Sequence, residues 1–197
     1  MKPDTKTEKQ FNFDLNHQSP AEIDEMRKLG ILDDKQEIQQ FIFPDFVKEK
    51  RSIKKHAVHA VHTLSEAYNY QRPSSFSRAL CLNIADYNVL LISGTASVDE
   101  NGKSIHVGDF RAQCWRTYRN ITELLKAEEM TWHDVVRTSC YLRDMSRDYK
   151  DFNEIRTSFY SWLGLEVLPA STGIQVTICR EDLLVEIEAI AITQVKK

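Results

Sequence analysis

The run LLVEIEAIAIT, residues 183 to 193, carries two glutamates in an otherwise apolar stretch. Taking a lone carboxylate out of water is costly unless a partner or a chemical task compensates. In an extended strand alternate side chains share a face, so Glu186 and Glu188 point the same way, with Cα atoms about 6.5–7 Å apart. Leu183, Val185, Ile187, Ala189 and Ala191 take the opposite face, which is expected to lie under helices. The glutamate face also carries Leu184, Ile190 and Ile192, so an apolar cover is expected there too. The simplest cover is another copy of the same sheet. Two carboxylates at such a boundary suit a polar cleft in which carboxyl groups act on a ligand. For either glutamate taken alone, an ion pair with an arginine of a neighbouring strand is the structural alternative.

The elements that must position this strand are legible from Pro73 onward. FSRALCLNI and VLLISGTASV are short apolar runs joined by ADYN, a hairpin pattern. Asp109 is the expected cap of a helix whose Cys114, Tyr118, Ile121 and Leu125 fall at i, i+4, i+7 and i+11. DVVRTSCYLRD reads as the next strand. A second helix follows, with Phe152, Ile155, Phe159 and Trp162 on one face and Gly164 ending it. STGIQVTIC and the glutamate segment are the final strands. The order ββαβαββ implies an α+β domain over residues 73–197 with two helices on one face of the sheet.

Residues 1–72 differ in texture, being charged, glycine-poor and without a clear strand, and are expected to form a mostly helical extension. SPAEIDEMRKLG marks a short helix: Ser19 is the N-cap, Pro20 the first position, Glu22 closes a capping box and Gly30 follows the last turn. Its apolar stripe is Ile23, Met26 and Leu29. A second helix is expected from Asp34 to Ile42, ahead of Pro44. The run HAVHAVH (His56, His59, His62) reads as a half-exposed helix. No acidic residue completes a ligand set, so no metal is assigned to it.

Composition narrows the function class. The 197 residues carry a net charge of −3, with no basic block to suggest nucleic acid. No apolar run approaches the roughly 18 residues of a membrane span. The polar N-terminal stretch has no signal-peptide pattern, and a cytoplasmic location is expected. Cys81, Cys114, Cys140 and Cys179 are widely spaced and are expected to be reduced interior thiols.

ISGTAS, VGDFRAQCWRTYRNI, VVRTSCYLRDM, DFNEIRTSFY, LPAST and LLVEIEAIAI occur in order, and over about Pro73 to Thr193 the chain resembles the RidA (YjgF) family. The resemblance implies a chorismate-mutase-like fold, a homotrimer built around a central barrel of sheets, and clefts between subunits. It also implies hydrolysis of 2-imino acids, with an arginine after the PA step holding the substrate carboxylate and the first glutamate of VEIE placing water. That glutamate is Glu186, but the arginine position is Ser171, and a hydroxyl cannot replace a bidentate cation. The family's first-strand aromatic is Phe76, without a phenol hydroxyl, while Ser93, Gly94 and Asn153 match. SGTAS, STGIQ and ICREDLLVEIEA also resemble the C-terminal half of chorismatases, in which a buried glutamic acid protonates an enol-ether carbon and arginines hold carboxylates. In that likeness Glu186 or Glu188 is the acid and Arg78 and Arg180 are the clamps. Residues 1–72 are too short to supply the other chorismatase half.

The leading expectation is a trimeric enzyme acting on a small carboxylate with an enol-ether, enamine or imine bond. Its site would combine Glu186, Glu188, Arg78, Phe76, Ser93, Gly94, Thr95, Asn153, Ser171, Thr172, Gly173 and Arg180, with no cofactor. The alternative is a non-catalytic ligand-binding or regulatory trimer. A third role, capping the cleft or recruiting a partner, is expected of residues 1–72 alone. An acidic cleft repels phosphates, which argues against RNA as substrate.

Overall fold

The structure, a computed structural model, describes residues 15–39, 53–60, 62–64 and 74–195. The chain divides into two compact units, Met1–Lys50 and Arg51–Lys197. In the first unit the capping box forms as expected. Ser19 accepts from the Glu22 N–H, and the Glu22 carboxylate accepts from the Ser19 N–H at 2.7 Å, opening α1 (Pro20–Lys28). Gly30 then takes a left-handed φ of 74°. Ile23 is buried, but Leu29 is 74% exposed, so the apolar stripe is narrower than its spacing suggested. The second helix is absent from residues 34–39. There Asp33 accepts from the N–H groups of Lys35 and Glu37, both at 2.9 Å, and Leu32 bridges Ile38. A short carboxylate that bonds its own downstream backbone competes with helix formation. Residues 40–42 lie outside the described residues.

The second unit is a six-stranded sheet of order β1-β2-β3-β6-β4-β5. Its elements are β1 (Lys54–Ala57), β2 (Ala79–Ile84), β3 (Tyr87–Ala96), α2 (Phe110–Ala127), β4 (Val135–Leu142), α3 (Met145–Trp162), β5 (Ala170–Gln175) and β6 (Val185–Gln194). From β2 onward this is the expected ββαβαββ order. The departure is β1: His56 sits on a strand paired antiparallel to β2, and His59 and His62 follow in irregular chain, so the histidine run is not helical. Among the described residues, Lys54–Ala57 are thus part of the sheet, within the stretch expected to be a mostly helical extension. Pairing with an open sheet edge is a non-local contact that sequence periodicity does not report.

The β2–β3 hairpin closes at Ala85, which takes a φ of 50°. β4 and β5 are parallel across α3, and the other pairs are antiparallel. Asp109 caps α2, and Cys114, Tyr118, Ile121 and Leu125 are all buried beneath it. Asp144 caps α3, where Phe152, Ile155 and Phe159 are buried but Trp162 is 79% exposed and stacks on Phe159. Val185, Ile187, Ala189 and Ala191 of β6 meet these helices with essentially no exposed surface. Each fully buried large aliphatic side chain contributes about 1.5–3 kcal/mol. Cys81, Cys114 and Cys140 are interior thiols, whereas Cys179, expected inside, is exposed on the loop before β6. Among the described residues no helix is long and apolar enough to cross a membrane.

Candidate functional site

The face of the sheet opposite the helices carries the glutamates. In register, Glu186 lies across from Ala96 of β3 and Tyr141 of β4, and Glu188 across from Ser139 of β4. The β3–β6 register shifts between Ile92 and Thr95, so Ser93 and Gly94 form a bulge at the level of the carboxylates. Gly94 has a specific purpose there. A β carbon at this position would collide with the Glu186 carboxylate, which lies directly on the glycine backbone.

Glu186 opens into a cleft of about 190 Å³ lined by Phe76, Arg78, Gly94, Cys179 and Arg180, among others. Arg78 is buried, with its guanidinium 5.0 Å from the centre of the Phe76 ring. Arg180 donates to the Gly102 carbonyl at 2.6 Å and to Ser104 Oγ. Burial is the main cause that pushes the Glu186 carboxyl above its usual range, and the neighbouring Glu188 charge adds to it, while Arg78 and Arg180 pull the other way. A carboxyl whose burial favours its protonated form, set beside two guanidinium groups, combines the means to donate a proton with binding for an anion.

Glu188 belongs to an adjoining, wider depression of about 480 Å³ that also contains Ser77, Ser93, Arg137 and Ser139. Its Oε2 accepts from the Tyr141 hydroxyl at 2.9 Å, a bond that raises the tyrosine's own pKa. Ser93 donates to the Ser77 carbonyl at 2.8 Å.

The remaining expected site residues lie elsewhere within one chain. Thr95 is buried on the helix side and bonds the Ser93 carbonyl. Ser171, Thr172 and Gly173 are on β5, which β4 separates from β6, placing them about two strand spacings, or 9–10 Å, from the glutamate strand. Ser171 meets Thr138 Oγ1 at 3.0 Å and the Arg156 guanidinium at 3.3 Å, and Asn153 also accepts from Arg156. Thr172 accepts from Arg137 at 3.2 Å. Gly173 faces Met145 and Tyr149 of α3. Two cations, Arg137 and Arg156, thus reach the strand on which the family resemblance implies an arginine. Neither was singled out in the sequence.

Two other side chains escaped the sequence reading. Arg143, just after β4, donates to the carbonyls of Leu183, Ile178 and Arg180 at 2.7, 3.1 and 2.6 Å, fixing the loop that presents Arg180. Gln113, buried on α2, donates to the Asp182 carbonyl and accepts from the Leu184 N–H, both at 2.8 Å. A glutamine within the buried stripe of a helix is the signal that would have found it.

Comparison with known proteins adds three kinds of likeness. The family model described as Endoribonuclease L-PSP matches residues 70–193. A RutC family protein of Pyrococcus horikoshii is 33% identical over 104 residues, 53% of this chain and 79% of its own length. The 3-aminoacrylate deaminase RutC of Acinetobacter baylyi is 31% identical over 104 residues, with the same two coverages. A chorismatase of Streptomyces rapamycinicus is 32% identical over 141 residues, 68% of this chain but 41% of that enzyme's length. Among solved structures, E. coli TdcF with bound serine superposes with a TM-score of 0.58 at 17% identity, over 71% of this chain and 99% of that one. That last likeness establishes the fold.

Proposed function

The chain belongs to the RidA family, whose model is described as Endoribonuclease L-PSP, and from that premise we propose that it is an enzyme hydrolysing an enol-ether, enamine or imine bond in a small carboxylate. The observation that carries this reading is Glu186, a half-buried carboxyl with a raised pKa seated on Gly94 in a cleft shared with Arg78 and Arg180. The guanidinium groups hold the substrate carboxylate, and Glu186 supplies the proton. On an enol ether the proton goes to the terminal carbon, leaving an oxocarbenium ion. Water adds to that cation, the hemiketal breaks its bond to the alcohol, and a keto acid and an alcohol leave with the proton returned to Glu186. Glu188 assists through its charge, which disfavours ionisation of Glu186.

Chorismatase-like chemistry is favoured over ordinary 2-imino acid deamination on two grounds. The position implied to hold the deaminase arginine is Ser171, and the chorismatase likeness extends over 141 residues against 104 for the deaminase. The matched segment spans 41% of that chorismatase's length. RNA is not the favoured substrate, because two carboxylates dominate this face of β6.

The assembly proposed with this function is a homotrimer in which neighbouring copies cover the glutamate face. Leu91, Ile174 and Ile192 are apolar and substantially exposed on that face, which supports such a cover. It would also bring a neighbour's β5 residues toward Glu186, a distance one chain cannot close. Incubating the purified protein with chorismate and a panel of 2-imino acids tests the function. Turnover that Glu186→Gln abolishes supports it. Carboxylate binding without any turnover would favour the non-catalytic reading, which the serine at position 171 also motivates.

A further inference from the structure

The histidine run leaves one contact that the proposed reaction does not use. His56 of β1 lies directly across from Cys81 of β2, so the two side chains share a face of the sheet. Cys81 is fully buried on that face. Glu128, the C-cap of α2, reaches to the same spot, and both of its carboxylate oxygens lie 3.0 Å from His56 Nε2. The imidazole nitrogen, the Cys81 sulfur and a Glu128 oxygen all fall within 4.8 Å of one another.

We propose that His56, Cys81 and Glu128 form a site for a divalent transition metal, best suited to zinc, that fastens β1 to α2 at the edge of the sheet. Thiolate, imidazole and carboxylate are the donor types zinc takes, with metal–ligand bonds of about 2.0–2.3 Å. Tetrahedral bonds of that length place donors about 3.3–3.8 Å apart. Small side-chain rotations bring this triad, already 3.0 to 4.8 Å across, to that spacing. The three ligands come from three elements, so one ion ties together segments that are distant in sequence. The C-terminal end of α2 adds its partial negative charge to the cation's surroundings. His56 is the open side: its side chain is 49% exposed, leaving an entry path and room for water as fourth ligand. On binding, the Cys81 thiol gives its proton to solvent, and the His56–Glu128 hydrogen bond is replaced by two bonds to the metal.

The structural alternative is a plain His56–Glu128 ion pair, and cobalt separates the two. The full chain, freed of metal with a chelator and kept reduced, is titrated with Co²⁺. The expected result is a near-ultraviolet thiolate-to-cobalt charge-transfer band that saturates at about one equivalent per chain, consistent with a single three-ligand site, and is displaced by Zn²⁺. Cys81→Ser removes the band, and His56→Ala, at an exposed edge position, weakens binding by more than about tenfold. Cys179→Ser, which alters the exposed thiol, leaves the band intact. Absence of the band, its survival in Cys81→Ser or unchanged in His56→Ala, or its loss in Cys179→Ser would each overturn the proposal.

Discussion

The two faces of β6 share one backbone and behave as two different regions. Toward the helices, Val185, Ile187, Ala189 and Ala191 are closed off from solvent. On the other side, Glu186, Glu188 and Ile190 stay partly open and meet arginines, serines and a tyrosine. Because side chains alternate with a period of two, a change of one residue decides whether a substitution strikes the buried core or the proposed site. On the proposed reading, stability and function are separable along a single ten-residue strand.

Substitutions on each face can break or sharpen that contrast. The largest effect is expected from Glu186→Gln, which should lower turnover of whichever substrate is accepted by about 10²–10⁴-fold, the usual worth of a placed proton donor. Its stability should move in the opposite direction. Burial raises the folded-state pKa of Glu186, so the native state above that pKa carries a desolvated anion that glutamine removes. Denaturation should show Glu186→Gln more stable than the parent at neutral pH. The gain should fade as pH falls through the folded pKa and vanish below the unfolded one, where both states are protonated.

On the buried face, Ile187→Ala should cost about 2–5 kcal/mol in a urea or thermal melt, the range for truncating a core isoleucine. Gly94→Ala should leave the core intact but displace the Glu186 carboxylate, lowering kcat by up to about a hundredfold with little change in unfolding midpoint. The smallest effect on the chain itself is expected from Ile192→Lys, within about 0.5 kcal/mol in monomer stability. If the proposed trimer forms, sedimentation should nevertheless show it weakened, because the charge would fall on the face that neighbouring copies are proposed to cover.

The division of β6 was legible because it depends only on alternation within one strand. The caps Ser19 and Asp109 and the buried stripe of α2 were legible for the same reason: each is set by residues close together along one helix. The pairing of β1 with β2 was not, since it joins an edge to a segment some 25 residues away and overrides local preference. Nor was the distance between β5 and Glu186, because the position of β5 beyond β4 is a matter of strand order rather than of pattern. Arg143 and Gln113 escaped because their partners are backbone carbonyls and an amide, groups common to every residue. Trp162 and Leu29 mark where an apolar stripe runs past the core it serves.

The central claim is that Glu186 is held as a proton donor beside two guanidinium groups that receive a carboxylate. Following the Glu186 side-chain carboxyl by carbon-13 NMR as pH is varied, with and without a bound small carboxylate, tests it most directly. The account predicts a midpoint above the ordinary glutamate value of 4.5, rising further when the ligand neutralises Arg78 and Arg180. A midpoint at or below that value, or one indifferent to the ligand, would contradict it.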